Sequence, residues 1–579
     1  MYMIRKKRKG LLLSAAMVLM LGALSACSGN NNSNSSSAAS NETPSASSQA
    51  SESAPAEDSG LAKGKFDPPV TISTIGCIDP TVQYKDGETI ENNVHTKWAK
   101  DELGIELKYN YTTAADQCAN KIRLSLSANQ KLPDVMLIYD KQLLSELIDS
   151  GKLMDVTEAF NQYASEQLKS IYSQDPSYWY QVAKDGGNYG IPILSSAMAS
   201  DPVLWMRTDW MEKVGMQAPT NFDELDQLLE ALHKQDPKNP PLALSLKNGF
   251  VTWMADASWI FGGYGVIPTY WNKWHGDKLE YGSVQPETKE ALAKLQDWFK
   301  KGYISSDAGL LDETKASELF TSEKSGIIGG PSWMGGWPIK NVLLANKPDA
   351  KVRPFPIPAG PSGKAGRQGT SPTTGALVVS KDFQHMDALM LYLNKLTEYA
   401  DPAADSKYAN GWAEGYDYVL KDGMGSKNIK DFPDGKIYSV YKYFLTQSDM
   451  IDPQRVLEIR KGFVDGNKPE KPLEYQYYNI ATDEEKANPE LSNNWYSAKV
   501  LADQKDASIS NLFMGAQTET MKEKQEALIK LENETFIKIV YNQASVDEFD
   551  HFVKKWKEMG GDQITAEVNE WYASATSSK

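Results

Sequence analysis

Histidine and cysteine are scarce in this chain. Its 579 residues hold five of the first and three of the second. His95, His233, His275, His385 and His551 fall at no helical metal-ligand spacing, and no HExxH, CxxC or GxSxG occurs. Zinc-hydrolase, thiol-redox and serine-hydrolase chemistry therefore have no footing here. Gly360-Pro361-Ser362-Gly363-Lys364 lacks the leading glycine spacing and the Ser/Thr after Lys of a phosphate loop, and reads as a surface loop. Positive charge is in deficit, with 61 Lys and Arg against 76 Asp and Glu. That balance argues against a nucleic-acid partner. No long apolar run is present either. The stretch from Leu11 to Leu24 is 14 residues, short of the ~20 that a spanning helix needs.

That stretch follows Arg5, Lys6, Lys7, Arg8 and Lys9 and ends in Leu24-Ser25-Ala26-Cys27. A basic start, a short apolar centre and small residues at the end make an export signal, expected over residues 1–26. Ser, Asn, Ala and Pro dominate from Ser28 to about Lys65. That composition buries too little surface to offset chain entropy, so residues 27–65 are expected to form a disordered tether. Without the leader, 56 basic side chains face 76 acidic ones, a formal charge of −20. Cys77 and Cys118 remain as a disulfide or as two buried thiols; spacing alone does not decide.

The rest is too long for one core. Val70–Ile75 predicts a strand, Asn92–Leu103 a helix stopped by Gly104, and Ile105, Leu107, Tyr109 and Tyr111 a half-buried strand. A helix through Leu124–Ala128, the buried strand Asp134–Tyr139 and a helix carrying Leu143, Leu144 and Leu147 complete a βαβαβα block. An α/β domain with a largely parallel sheet is the expectation. Thr220 with Asp223 reads as a capping box before the inward row Leu225, Leu228, Leu229 and Leu232. A helix over Glu287–Lys301 turns Trp298 inward. Ile327–Ile328 breaks into a glycine-rich stretch ending at Trp337, and Ala376–Val379 is a further strand. The C-terminal part is mostly helical, with Trp556 on an inward face.

FGGYGVIPTYW (Phe261–Trp271), KLEYGSVQPETKEALAKLQDWFKKG (Lys278–Gly302), ELFTSEKSGIIGGPSWMGGWP (Glu318–Pro338) and MGGDQITAEVNEWY (Met559–Tyr572), in this order and spacing, carry a family resemblance. So do YGIP at Tyr189 and LWMRTDWMEKVG at Leu204–Gly215. Together they resemble the family 1 extracellular solute-binding lipoproteins of bacterial ABC importers, in particular the group that binds aldouronates or complex oligosaccharides. The resemblance implies an α/β, two-lobed type II periplasmic-binding-protein fold with a ligand cleft between the lobes. It places lobe 1 at 66–188 and 351–420, and lobe 2 at 189–350 and 421–579. It further implies a lipid on Cys27, attachment to the outer face of the bacterial cytoplasmic membrane, and a monomer that hands an oligosaccharide to permease subunits. No enzymatic activity and no cofactor are expected. A secreted carbohydrate-active enzyme, or a peptide-binding or sensory lipoprotein on the same fold, are the other classes compatible with the sequence. Many relatives carry a calcium loop after the helix that here ends near His233. Gln235–Pro241 lacks its alternating oxygen ligands and central glycine, so no metal is expected.

A sugar cleft wants aromatic platforms for C–H faces and fixed polar groups for hydroxyls. Trp333, just past a strand end and matching the stacking Trp of maltose-binding relatives, is the first candidate, with Trp337 beside it. Asp140 follows the DVMLIY strand and reads either as a hydroxyl acceptor or as a helix N-cap. Tyr84, Trp253, Trp271 and Trp412 lie in loop-like sequence and are candidate lining residues. Arg207 reads either as a uronate partner or as an ion pair with Asp209.

Overall fold

The computed structural model describes residues 61–577 apart from Lys63, Asp449 and Ile480. The leader, Cys27 and all but the end of the expected tether lie outside the described residues. Pairing is already present at Leu61–Ala62 with Lys65–Phe66, so ordered chain begins before the expected boundary at 66.

Two groups of strands, each with its own core, make the two lobes. In lobe 1 the strands Val70–Ile78 and Ile105–Ala114 pair in parallel. Beside them Val135–Ile138, Thr373–Val379 and Ile191–Leu194 form a second ladder, with Thr373–Val379 antiparallel to both neighbours. The Ser73 amide and hydroxyl donate to Asp134 Oδ2 at 2.9 and 2.6 Å and tie the two ladders together. The lobe is therefore mixed and not largely parallel, because its last strand arrives from the other lobe and enters in reverse. In lobe 2 the order is Leu242–Ala243, Ile327–Pro331, Pro202–Arg207, Val352–Phe355, with one parallel and two antiparallel pairings.

These pairings move the lobe boundaries. Ile191–Leu194 pairs within lobe 1, whereas the sequence reading gave it to lobe 2. Val352–Phe355 pairs within lobe 2, whereas the return to lobe 1 was expected at 351. Val440, Tyr443, Phe444 and Leu445 are buried in the lobe 1 core, so that lobe runs well past residue 420.

The local signals hold where periodicity is strong. Helix Val94–Leu103 ends at Gly104 in the left-handed region (φ 67°), where Cβ is unfavourable. Helix Phe222–Gln235 buries Leu225, Leu228, Leu229 and Leu232 as its period requires, but its cap is Asn221 and not Thr220. The Thr220 amide and hydroxyl instead donate to Glu224. Trp298 and Trp556 are buried in the lobe 2 core. Cys77 and Cys118 form a disulfide with Cα atoms 5.7 Å apart, which joins a lobe 1 strand end to helix Ala115–Ser127. Between 235 and 241 the Asp236 carboxylate is taken up by the Lys238 amide and the Asn239 side chain.

In the lobe 2 core the Glu532 carboxyl group accepts from Ser283 Oγ at 2.8 Å and Tyr281 Oη at 3.0 Å. Burial pushes it up to about 7, against about 4.3 for an unfolded Glu. Between those values the folded state keeps a proton that the unfolded chain releases. The stabilisation is full below about pH 4.3 and is lost as pH rises through about 7. Glu532→Gln keeps a neutral, hydrogen-bonding side chain at every pH. Its melting temperature should gain on the wild type between pH 5 and pH 8.5; a difference that stays constant across that range would refute the buried-acid assignment.

Candidate functional site

Three segments carry the chain between the lobes, and they run side by side. The Ser195 amide donates to Pro372 O, and the Ala197 amide to Pro453 O, both at 2.9 Å. Asp201 and Arg367, both fully buried, pair at this crossing through Nε and Oδ2 at 3.2 Å. Asp201 Oδ1 also accepts from the Thr370 amide and hydroxyl, and Arg367 reaches Gln504 Oε1 at 3.1 Å.

Strand register then shows which sheet ends face the crossing. In lobe 2, Pro331 pairs with Pro202, the first strand residue after the crossing. The carboxyl end of Ile327–Pro331, and Trp333 two residues on, therefore sit at the crossing edge. In lobe 1, Leu194 pairs with Thr373, the last and first strand residues flanking two crossings, and Ala376 pairs with Ile138. Tyr139 and Asp140 thus leave their strand at the same edge. Both residue sets thus leave their sheets at the edge nearest the crossing, the kind of position at which α/β folds bind ligands.

On the lobe 2 side Trp253, Trp333 and Trp337 are 42%, 40% and 41% exposed. Their rings are nearly parallel. Trp253 lies 5.7 Å from Trp333 and 6.4 Å from Trp337, centroid to centroid, and Trp333 lies 6.3 Å from Trp337, with interplanar angles of 24°, 10° and 20°. The support beneath is rigid. A Cβ on Gly329 would come within 2.7 Å of Trp259 Nε1, and one on Gly335 within 2.9 Å of the Trp205 ring. The glycines of this stretch thus let the backbone pack against buried tryptophans, so that Trp333 and Trp337 are left facing outward. Under Trp253, buried Asp256 accepts from the Thr252 and Ser258 amides, the Ser258 hydroxyl and Gln368 Nε2. Burial pushes its carboxyl up to about 7 against those bonds. Gln368 belongs to a crossing segment, so the Trp253 loop is braced on the hinge.

The lobe 1 side is polar. Asp140 caps helix Lys141–Asp149 through the Leu143 amide at 2.8 Å and pairs with Arg123 at 3.0 Å, so both readings of this residue are compatible with its position at the cleft edge. Sequence reasoning missed its neighbours. Tyr139 is exposed, yet surrounding protein pushes its phenol up to about 12. Lys141 is exposed as well, yet desolvation lowers its ammonium, and no carboxylate lies within ion-pair distance among the described residues. Asp79, at the end of Val70–Ile78, pairs with Lys442 at 2.8 Å; that bond, with those from Thr81, lowers its carboxyl to about 2. Strand ends are the signal that would have found Tyr139 and Asp79.

Three candidate lining residues and Arg207 lie elsewhere. Trp271 is 4% exposed in the lobe 2 core, paired with Tyr281. Trp412 is 8% exposed in a lobe 1 aromatic cluster, 4.6 Å from Trp98 and 4.7 Å from Phe444. Tyr84 packs on the same core and stacks on Tyr443 at 5.0 Å. Arg207 is 3% exposed, forked onto Asp209 at 2.8 and 2.7 Å with Glu323 at 3.2 Å. Its guanidinium is committed to these two carboxylates as a structural ion pair.

Residues 82–401 match the family model of the bacterial extracellular solute-binding proteins. The chain belongs to that family. It is 22% identical over 469 residues to the polygalacturonan/rhamnogalacturonan-binding protein YtcQ of Bacillus subtilis, covering 79% of this chain and 83% of that one. Lipoprotein LipO of the same organism is 22% identical over 505 residues, 82% and 87% of the two chains. Among solved structures, an HMO-binding, ABC-transporter-associated solute-binding protein from Bifidobacterium longum infantis superposes with a TM-score of 0.59. It is 15% identical, over 88% of this chain and 100% of that one. The two-lobed type II fold agrees with that likeness. No helix among the described residues is long and apolar enough to cross a membrane.

Proposed function

We propose that the chain is the lipid-anchored receptor of an ABC importer and that it captures an oligosaccharide in the cleft between its lobes. The observation that carries this is the three-tryptophan platform facing a hydrogen-bonding rim across the crossing segments. Flat rings take the C–H faces of a sugar, and ionised carboxylates and phenols take its hydroxyls. The specificity of the relative YtcQ supports an acidic, pectin-like ligand, and Lys141, which has no carboxylate partner among the described residues, is the cation that would meet a uronate. Arg207, committed to two carboxylates, is no longer proposed for that role.

The carboxyl groups support binding without chemistry. Glycoside cleavage needs a protonated acid beside the bond. Asp79 and Asp140 at the rim are held ionised by Lys442 and Arg123. The two carboxyls with raised values, Asp256 and Glu532, are enclosed and fully engaged within lobe 2. Calorimetry across neutral and uronate oligosaccharides tests the reading, with scattering on the same samples. Ligand that bridges the lobes favours the closed state, so the radius of gyration should fall and the recovered sugar should be intact. An unchanged radius, or cleaved sugar, would defeat it.

Anchoring rests on Leu24-Ser25-Ala26-Cys27 at the end of an export signal. Cys27→Ser should release the protein into the medium, whereas continued retention on the membrane would show that another element holds it.

A further inference from the structure

A second space opens from the lobe 1 rim. It has a volume of about 280 Å³ and reaches in from Tyr139, Asp140 and Gln447 between walls that include Ile75, Ile122, Ile138 and Leu143. Close-packed interiors leave voids hardly larger than a water, and apolar walls offer water few partners. A space of this size therefore has the character of a ligand pocket, at the lower end of the usual range of about 300–1,000 Å³. That is room for one sugar ring or a part of one. Its chemistry differs from that of the rim, because apolar walls cannot pair sugar hydroxyls, and a buried hydroxyl without a partner is costly.

The polar side chains of the lining are Thr74, Tyr109 and Gln447, with Asp116, Tyr139 and Asp140 nearer solvent; Thr74, Tyr109 and Gln447 can each donate. Thr74 contributes a buried hydroxyl. Gln447 spends one amide hydrogen on Cys77 O at 3.3 Å and has a second to give. Gln447 also stands in the left-handed region (φ 46°), an uncommon backbone state for a non-glycine residue and one that clusters at ligand sites. The Cys77–Cys118 disulfide forms part of the wall and fixes the strand end against the helix. Largely apolar walls with a few donors fit an ester: a methyl group for the walls and a carbonyl oxygen that only accepts.

We propose that this pocket is a subsite for an O-acetyl group on the sugar bound at the lobe 1 rim. The inference rests on the oligosaccharide reading and adds that the receptor prefers acetylated ligands. Binding of xylo-oligosaccharide and oligogalacturonide ladders is to be measured by calorimetry, each in O-acetylated and saponified form. The acetylated form of the bound series should bind about tenfold more tightly, the low end of what one small group earns in an apolar pocket. Ala119 lines the pocket, and Ala119→Phe should fill it. That variant should lose the preference and bind the saponified form within about twofold of wild type, by the same subsite arithmetic. Ala119→Leu serves if the larger ring lowers the melting temperature. Trp333→Ala should weaken both forms and keep the preference. Equal affinity for the two forms in wild type, or a preference that survives Ala119→Phe, would overturn the subsite and leave the carbohydrate reading standing. Absence of binding by every form would overturn both.

Discussion

Trp333→Ala is expected to cost this protein most of its ligand affinity and little of its stability. A receptor that must both capture and release works near micromolar affinity, about 8 kcal/mol in all. An aromatic hot spot accounts for about 2–4 kcal/mol of such a sum, so the variant should bind roughly thirty- to nearly a thousandfold more weakly. The ring is 40% exposed and touches two other exposed indoles, so its removal empties no core. Trp298→Ala is the control. That indole is fully buried and donates to Asp226 at 2.6 Å, and its loss should cost about 3–5 kcal/mol of stability. Melting temperature and affinity measured on both variants separate the roles. A large fall in melting temperature with near-native affinity for Trp333→Ala would mean the ring is structural. Because the three indoles stack, Trp253→Ala with Trp333→Ala should cost less than the two singles added.

Elements with a strong local period were legible from the chain alone. The run Val135–Ile138, the alternation from Ile105 and the leucine row of Phe222–Gln235 each appear where the pattern put them. Sheet direction was not legible, because Thr373–Val379 lies far along the chain from its partners Val135–Ile138 and Ile191–Leu194, and no local feature says which way it enters. The site divides the same way. Trp253, Trp271 and Trp412 all stand in irregular sequence with no periodicity to fix a face. Trp271 is buried because Asn511 and Leu512 close over its backbone, and Trp412 because Trp98 and Phe444 converge on it. Trp253 is covered by neither kind of contact. Trp333 was legible because the strand before it and the turn at it are both local. Arg207 was half legible: Asp209 is two residues away, but Glu323, which completes the pair, is 116 away.

The hinge offers a second large effect, this one on stability. Asp201 and Arg367 have no solvent exposure, and their pairing is completed by Thr370, Gln504 and the Leu501 carbonyl. Desolvation alone lowers the Arg367 guanidinium, so the charge is held there by its partners. Asp201→Ala leaves that charge buried and unanswered, and should cost about 3–5 kcal/mol. Replacing both, as Asp201→Leu with Arg367→Met, removes the charge with its partner and should recover most of the loss. The pair joins two of the three crossing segments, so a rotation of the lobes would pivot on it. The double variant should therefore regain its melting temperature yet show a broader spread of lobe separations by scattering without ligand, and weaker ligand affinity through the loss of a defined closing path. Chemical denaturation of the four proteins measures the first part. A loss below about 1 kcal/mol for Asp201→Ala, the scale of a solvated surface pair, would show that water reaches the crossing and that the hinge is held by backbone contacts alone.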